Sequence, residues 1–246
     1  MKAKIGTVYK ILILSGVFLL PFMARGAAYW MEITGSKKLN ETVTVRVIYG
    51  NIDESGTRHR HKGKELQLAG DFSFFVIHPD GVKEKLQLIQ KEDCWEAVFT
   101  PAQLGLFRLL GINSTHPVVD RSATGGENVL PIDYLCGEYQ IGSGTKMAET
   151  PALLLDITAI KKDQDVLFKV FRNGKLEAAG TKMRIFNPEN WEKELSINKQ
   201  GEAGFSASLK GMYNIRLDWI DPKSGNYLGV NYTSIRHRCN YCLFIE

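Results

Sequence analysis

The C-terminal stretch IRHRCNYCLFIE sets a histidine two positions before a pair of cysteines that are three apart: His237, Cys239 and Cys242. Thiolates and imidazoles are the ligands that zinc and other transition metals prefer, so these three side chains could hold one ion. A closed site needs a fourth ligand, which the fold would have to bring from elsewhere. The stretch therefore predicts a transition-metal site.

Two other states are open for these cysteines. In one straight strand, Cys239 and Cys242 would lie about 10 Å apart, at ~3.3 Å per residue, and face opposite sides of the sheet. That exceeds the ~7 Å limit for a disulfide. A turn at Asn240–Tyr241 would permit a local disulfide or a chelate. Otherwise each thiol pairs elsewhere, with Cys94 or Cys136 among the possible partners, or stays free.

A second pair of candidate ligands lies in the segment RHRHK. In an extended chain, His59 and His61 project to the same face and could share one ion. Their neighbours Arg58, Arg60 and Lys62 would repel a cation. The alternatives are a metal site and a solvated basic loop, and such a loop could also meet an anionic surface.

The N-terminal residues indicate where the protein works. Lys2, Lys4 and Lys10 precede an apolar run over residues 11–24, followed by small residues at 26–28. This pattern is typical of a secretory signal peptide, assigned here to residues 1–28. The run is shorter than the ~20 residues that span a bilayer core, so we expect no permanent membrane anchor. We therefore expect a periplasmic or secreted protein, in a compartment where disulfides persist.

Composition excludes other classes. The net charge is only +4 and the basic residues are scattered, which leaves no footprint for nucleic acid. The chain has no Gly-x-Ser-x-Gly elbow and no glycine-rich phosphate loop opening a helix. We therefore expect a protein that is not an enzyme.

The mature chain consists of short alternating apolar runs, and helical periodicity is scarce. ETVTVRVIYG and VLFKVFRNG each place three apolar side chains on one face, as half-buried strands do: Val43, Val45 and Val47 in the first run, and Val166, Phe168 and Val170 in the second. The sequence predicts an all-β fold.

The order of these strands repeats along the chain. Residues 43–50 correspond to 166–174, the segment FFVIHPDG to MRIFNPEN, and FTPAQLGLFRLLGI to FSASLKGMYNIRLDW. In the last pair a glycine, Gly105 or Gly211, leads into an alternating strand. An aromatic residue, Phe107 or Tyr213, stands two positions after that glycine. Such a pattern is typical of the corner where a chain passes from one sheet of a sandwich to the other. We predict two tandem immunoglobulin-like β-sandwich domains.

The repeat sets the predicted domain limits. The first sandwich covers residues 29–119 and the second covers 151–246. Residues 120–150 are predicted as a linker whose middle forms an extra hairpin. The first copy also carries an insertion, residues 51–70, which contains His59 and His61. Inserted loops on a rigid sandwich are common places for function.

Several segments together resemble a known family. They are AYWMEI, VTVRVIYGN, GLFRLL, LLLDITAI, VLFKVFRNGKLEAAGTKMRIF and GMYNIRLDW. They are similar to a family of periplasmic immunoglobulin-like proteins associated with nickel or cobalt uptake and otherwise of unknown function. The resemblance implies a non-catalytic role linked to nickel, cobalt or another transition metal. Where that family carries a histidine before its first strand, this chain has Ala28 and Tyr29, so the resemblance supplies no ligand.

Two functions are therefore expected from the sequence. The first is a periplasmic or secreted binding protein associated with transition-metal uptake, with His237, Cys239, Cys242, His59 and His61 as candidate ligands. The second is a structural or interaction module of the cell envelope that holds a protein or a glycan. Metal retention by the purified protein separates the two.

Overall fold

A computed structural model describes residues 27–143 and 150–246. Most of the predicted signal peptide, residues 1–26, lies outside the described residues. The described chain is almost entirely β-structure, which confirms the predicted fold class. Its helical elements are α1 (Lys64–Gln67) and two 3-10 turns (Leu68–Asp71 and Ser122–Thr124). Across these residues, no helix has the length and apolar character needed to cross a bilayer.

The strands divide between the two copies of the repeat. The first half contains β1 (Ala28–Thr34), β2 (Val43–Ile52), β3 (Arg58–Arg60), β4 (Ser73–Ile77), β5 (Lys83–Leu86), β6 (Ile89–Gln90), β7 (Trp95–Phe99), β8 (Gly105–Asn113) and β9 (Val129–Ile141). The second half contains β10 (Leu155–Lys162), β11 (Asp165–Arg172), β12 (Lys175–Leu176), β13 (Lys182–Phe186), β14 (Glu192–Ser196), β15 (Glu202–Ser206), β16 (Gly211–Asp221), β17 (Gly225–Tyr227), β18 (Val230–Tyr232) and β19 (Ser234–Ile245).

Three sheets form the body of the molecule. The central sheet has eight strands in the order β14-β13-β16-β19-β9-β8-β4-β5. A five-stranded sheet (β1-β2-β7-β6, with β3 on β2) belongs to the first half. A four-stranded sheet (β10-β11-β12, with β15 on β11) belongs to the second half. The hairpin β17–β18 is separate from them.

The two outer sheets cover opposite faces of the central sheet. Successive side chains of a strand point to opposite faces. On β9, Leu135 joins a first core with residues of β1, β2 and β7, whereas Tyr134 and Cys136 join a second core with residues of β10 and β11. On β19, Cys242 belongs to the first core and Cys239 to the second. Two sandwiches therefore share one central sheet.

The predicted repeat appears in the order of the central strands. Reading outward from the β9–β19 pair, β8, β4 and β5 on one side match β16, β13 and β14 on the other. Gly105 and Gly211 have φ angles of +129° and +126°, and a Cβ at either would strike the proline of the preceding turn, Pro79 or Pro188. The two copies thus share this corner, where only glycine fits without strain.

The predicted corner aromatics lie at the entry to the central sheet. The Tyr213 hydroxyl donates to Leu209 O at 3.0 Å and accepts from Leu209 N at 3.1 Å. This is the tyrosine corner of immunoglobulin-like domains, in which the hydroxyl bonds to the backbone just upstream. Phe107 occupies the matching place in the first copy and is buried.

The segment 120–150 differs from the expected linker with a hairpin. Residues 129–141 form one strand, β9, which pairs antiparallel with β8 and parallel with β19. The pairing satisfies the backbone of β9 on both edges, and its side chains enter both cores, which a hairpin on one domain would not do. The domain limits themselves stay a prediction.

The shared sheet predicts that both cores unfold together. Phe107→Ala in the first core and Phe168→Ala in the second each remove a fully buried ring, which should cost about 3–5 kcal/mol. We expect both to lower the midpoint of one common urea transition, followed by tryptophan fluorescence and circular dichroism. Leu228→Ala, at a residue that is 79% exposed, is the control and should leave the midpoint unchanged. Two separate transitions would contradict the shared-sheet account.

Candidate functional site

The predicted metal ligands of the C-terminal segment lie on one uninterrupted strand, β19. Asn240 and Tyr241 continue the pairing with β16 and do not form a turn. Cys239 and Cys242 therefore point to opposite faces of the central sheet and lie in different cores. The structure does not bring these two thiols together.

Each of these cysteines has another neighbour. Cys239 Sγ lies 3.5 Å from Cys136 Sγ on β9, and Cys242 Sγ accepts the Met31 amide at 3.1 Å. All four cysteines, including Cys94, are buried free thiols in the structure. Burial raises the pKa of Cys242 to about 12, so its reactive thiolate form is disfavoured. These are the properties of packing residues.

His237 is also held by its surroundings. Its ring stacks on Trp219, with 4.6 Å between ring centroids, and lies 5.9 Å from the ring of Tyr134. Its Nδ1 is 2.8 Å from the Tyr134 hydroxyl. Burial lowers the pKa of His237 and favours the neutral ring. His237 is therefore an aromatic packing residue that shares a face with Cys239.

His59 and His61 lie on β3, in the predicted insertion. His59 Nε2 is 2.6 Å from Asp53 Oδ2, and the ring of His61 lies 5.7 Å from that of Tyr49. Within residues 27–143 and 150–246, no group of three or more His, Cys, Asp or Glu side chains is placed to hold a metal ion. The five candidate residues do not fit a single transition-metal ion in this arrangement.

This placement predicts that His237 stabilises the fold. His237→Ala removes the ring stack and the tyrosine contact, which should lower the free energy of unfolding by about 2–3 kcal/mol. His59→Ala, at an exposed position, should leave the urea midpoint unchanged. Neither variant should alter the metal content measured by mass spectrometry. If the native protein retains stoichiometric metal and either variant loses it, the metal-site hypothesis would be supported again.

The lowered pKa of His237 also predicts a pH dependence. A histidine in the unfolded chain binds a proton near pH 6.5, whereas the folded protein resists that proton. The unfolded state therefore gains protons first, and stability should fall as the pH drops below about 6.5. His237→Phe keeps a ring in the stack and should make this fall smaller. An identical dependence of stability on pH in the native protein and in His237→Phe would contradict this prediction.

A different set of residues converges on a cleft of about 380 Å³ between the two halves. Its floor, defined as Arg184, Phe186, Asn214 and Arg216, lies on β13 and β16. Arg184 pairs directly with Arg216, and Phe186 with Asn214, so the four occupy adjacent positions of the sheet. They project to the face opposite the second core, beside the edge of the five-stranded sheet, where Asn214 is buried and the other three are partly exposed.

The opposite wall of the cleft comes from the first half. Trp30 of β1 and Arg58 of the insertion line it, and the Arg58 guanidinium lies 5.0 Å from the Trp30 ring. Arg58 Nη2 also donates to Asn190 Oδ1 at 2.8 Å, and Asn190 Nδ2 donates to Gly56 O at 2.6 Å. These bonds tie the inserted loop of the first half to the turn of the second half.

The arginines of the cleft differ in how their charge is balanced. Asp218 binds Arg184 at 2.9 Å and Arg238 at 2.6 Å. Arg216 instead donates to Asn240 Oδ1 at 3.0 Å and stacks over Phe186. No carboxylate of the described residues lies within 4.0 Å of Arg216 or Arg58. Burial, followed by the charge of Arg238, lowers the pKa of Arg216. The positive charges of Arg216 and Arg58 thus have no carboxylate partner, and an anion bound in the cleft would compensate them.

Two amide oxygens in the cleft have unused hydrogen-bonding capacity. Asn214 is 2% exposed, and its Oδ1 accepts no hydrogen bond from the described residues. Asn51 Oδ1, on the wall of the cleft, likewise accepts no hydrogen bond from the described residues. Buried polar atoms without a partner are rare and costly, so they call for a specific explanation. Both oxygens are closed off from the solvent in the cleft, so a molecule bound there would not reach them in this arrangement.

The rim of the cleft is acidic and carries an exposed aromatic ring. Glu54, Glu189 and Glu192 lie on this rim, together with Trp191, which is 74% exposed. A large exposed aromatic beside a polar cleft is a common anchor for a ligand.

Comparison of the two copies shows that the fold does not require this polar floor. Where the second copy has Arg184 and Arg216, the first has Phe75 and Leu110 in the aligned positions, and both of these pack into the second core. In the first copy these positions are buried under the other half of the molecule, whereas in the second copy they line the cleft. Of the two arginines of the second copy, Arg184 is paired with Asp218, whereas Arg216 bonds only to an amide oxygen.

A second groove, of about 520 Å³, lies near the ends of β1, β10 and β19. Its lining is largely aliphatic and includes Ile33, Leu106 and Leu243. The Lys37 ammonium and the Glu246 carboxylate at this groove pair with each other. Lys37 and Glu246 are thus already partnered by opposite charges, unlike Arg216 in the first cleft.

The comparisons with known proteins give no family. No protein-family model matches the chain, and no curated protein matches it. Among solved structures, it is similar to a Salmonella alpha-2-macroglobulin reacted with methylamine, at 12% identity and a TM-score of 0.27 over 89% of this chain and 15% of that one. It is also similar to a tetra-tandem repeat in the extending region of a large adhesion protein, at 8% identity and a TM-score of 0.22 over 89% of this chain and 50% of that one. Both TM-scores are too low to bear on function.

Proposed function

We propose that this chain is a periplasmic or secreted binding protein without catalytic activity, which holds a small polar ligand in the cleft between its two halves. The observation that carries the proposal is the floor of that cleft. There the half-buried guanidinium of Arg216 has an amide oxygen and not a carboxylate as its partner. The volume of the cleft is within the range of small-molecule sites.

The chemistry of the floor favours binding over catalysis. Guanidinium and amide groups donate and accept hydrogen bonds, but they do not exchange protons near neutral pH. Charge-assisted bonds from a guanidinium are stronger than neutral ones and have defined directions. Such groups suit recognition of a polar molecule.

Export supports the same proposal. The basic residues, apolar run and small residues of segment 1–28 are typical of a signal peptide. A binding protein of the envelope or the exterior agrees with the second function expected from the sequence. The five candidate metal ligands lie in separate places, so they lend no support to an association with nickel or cobalt uptake. That association stays a prediction.

A ligand screen with matched variants tests the proposal. Arg216→Leu introduces the residue that the first copy carries at the aligned position, so the fold should accept it. Arg121→Leu, at an exposed arginine outside the cleft, is the control. The compounds are amino acids, dipeptides, nucleotides, and neutral and acidic saccharides, each at millimolar concentration.

We expect at least one compound to raise the unfolding temperature of the native protein and of Arg121→Leu. A ligand at 100 times its dissociation constant adds about 2.7 kcal/mol, which is a rise of roughly 5–10 °C for a chain of this size. Arg216→Leu should lose that rise. The absence of any stabilising compound, or an equal rise in Arg216→Leu, would refute the cleft as the binding site.

A further inference from the structure

The two edge strands of the central sheet form a second surface that can meet a partner. β5 (Lys83–Leu86) pairs only with β4, and β14 (Glu192–Ser196) pairs only with β13. Among the described residues, no backbone hydrogen bond is made on the outer side of either strand. Unpaired strand edges of this kind can accept a strand from another chain.

The charges of the two edge strands are reversed relative to each other. β5 reads KEKL from residue 83, and β14 reads EKEL from residue 192. The repeat aligns these strands, because FFVIHPDG and MRIFNPEN precede them at the same distance. Each charged residue of one strand thus corresponds to an opposite charge in the other. Charged residues protect an edge against pairing in general, but opposite charges on facing strands stabilise it.

The two strands present their alternating side chains to different faces of the sheet. Leu86 of β5 packs into the first core, whereas Leu195 of β14 packs against the second core. Successive side chains point to opposite faces. On the face of the first core, β5 therefore carries Glu84, and β14 carries Glu192 and Glu194. The lysines of both strands lie on the other face.

This placement of charges disfavours the simplest contacts between two copies of the chain. If β5 of one copy meets β14 of another in the same orientation, glutamates face glutamates and lysines face lysines. The same holds for two β5 strands, or two β14 strands, that pair antiparallel around a two-fold axis perpendicular to the sheet. Like charges that face each other directly destabilise a pair of strands.

One arrangement sets opposite charges against each other along the whole contact. A second copy that is turned over, with its β14 antiparallel to β5, brings the glutamate face of one strand to the lysine face of the other. The register with full overlap gives three pairs of opposite charge: Lys83 with Glu194, Glu84 with Lys193, and Lys85 with Glu192. Each such cross-strand pair stabilises an antiparallel contact.

The same register brings apolar side chains together at both ends of the contact. Val82, which is 58% exposed, comes opposite Leu195, and Trp191, which is 74% exposed, comes opposite Leu86. Removal of exposed apolar surface from water is favourable. The contact therefore has a charged centre and two apolar ends.

The partners of these charges within one copy leave the charges available. Each glutamate lies near one basic side chain: Glu84 at 2.8 Å from His78, Glu194 at 3.0 Å from Lys182, and Glu192 at 3.8 Å from Arg184. Exposed ion pairs of this kind contribute little to stability, so they do not oppose a new partner. Lys85 and Lys193 form no ion pair within the part of the chain that the structure describes.

We infer that copies of this chain associate head to tail, with β5 of one copy paired antiparallel to β14 of the next. The central sheets then join into one continuous sheet in which alternate copies are turned over. Because β5 and β14 are different surfaces, each added copy leaves one free edge of each kind, and the contact builds a chain of copies. The contact is short, so association depends on protein concentration. It is independent of the ligand of the cleft.

Reversal of the charges on one edge at a time tests this inference. The first edge variant is Lys83→Glu with Lys85→Glu, and the second is Glu192→Lys with Glu194→Lys. The control, Lys199→Glu with Lys223→Glu, makes the same charge change as the first at exposed positions outside both edges. Sedimentation velocity at increasing protein concentration measures the association of the full exported chain. All the substituted residues are exposed, and circular dichroism checks that each variant is folded.

We expect the average mass of the native protein and of the control to rise with concentration. Each edge variant alone should associate about tenfold or more weakly, because two of its three charge pairs become like charges. An equimolar mixture of the two edge variants should associate again. In that mixture, the β5 strand with three glutamates faces the β14 strand with three lysines, and the unchanged edges face each other.

Three results would overturn the inference. The first is a native protein that stays monomeric at every concentration. The second is an association of the edge variants that equals that of the native protein. The third is a mixture of the edge variants that stays monomeric although the native protein associates, since the charge pairs would then not set the contact.

Discussion

The parallel pairing of β9 with β19 is the constraint on which the rest of the structure depends. It joins the strand that ends the first half to the strand that ends the second, with Ser234 opposite Val129 and Cys242 opposite Gly137. Both strands lie in the middle of an eight-stranded sheet that is covered on both faces. Their side chains must therefore suit two cores at once, because successive residues point to opposite sides.

This constraint explains the cysteines that resemble metal ligands in the sequence. Strands that are buried on both faces carry small or apolar residues at consecutive positions, and cysteine is among the most buried residue types. Cys239 and Cys242 are separated by an odd number of positions, so they enter different cores. The spacing that suggests a chelate is produced here by burial on two sides. His237 fits the same account, since it packs on Trp219 in a stack of rings.

The same pairing creates the cleft. The outer sheets lie on opposite faces of the central sheet and each belongs to one half. The five-stranded sheet therefore ends near β1 and leaves the adjoining surface of β13 and β16 open. In the second copy this open surface carries arginines and asparagine, and the insertion of the first copy closes it through Arg58 and Asn190.

The sequence predicted the parts of the fold that have local signals. Alternation at Val43, Val45 and Val47 gave β2, and the matched glycines at 105 and 211 gave the two corners. It did not predict β9, since Gly-rich flanks resemble a linker and a strand with two buried faces does not alternate. Nor did it predict the cleft, whose residues come from four separate segments. One signal was present: alignment of the copies sets Arg184 and Arg216 against Phe75 and Leu110.

The first half also shows how this chain stabilises a buried arginine when the need is structural. Arg108 is buried on β8 and lies 2.7 Å from Asp156 Oδ1, whose carboxylate compensates its charge. Removing a guanidinium from water is costly unless an opposite charge or strong acceptors replace the solvent. Arg216 on the equivalent strand has only an amide oxygen at 3.0 Å, and Asp218 is shared between its neighbours. The aligned residue in the first copy, Leu110, is fully buried in the second core, whereas Arg216 lines the cleft. A ligand anion in the cleft, as proposed above, would supply the charge that Arg216 lacks among its near neighbours.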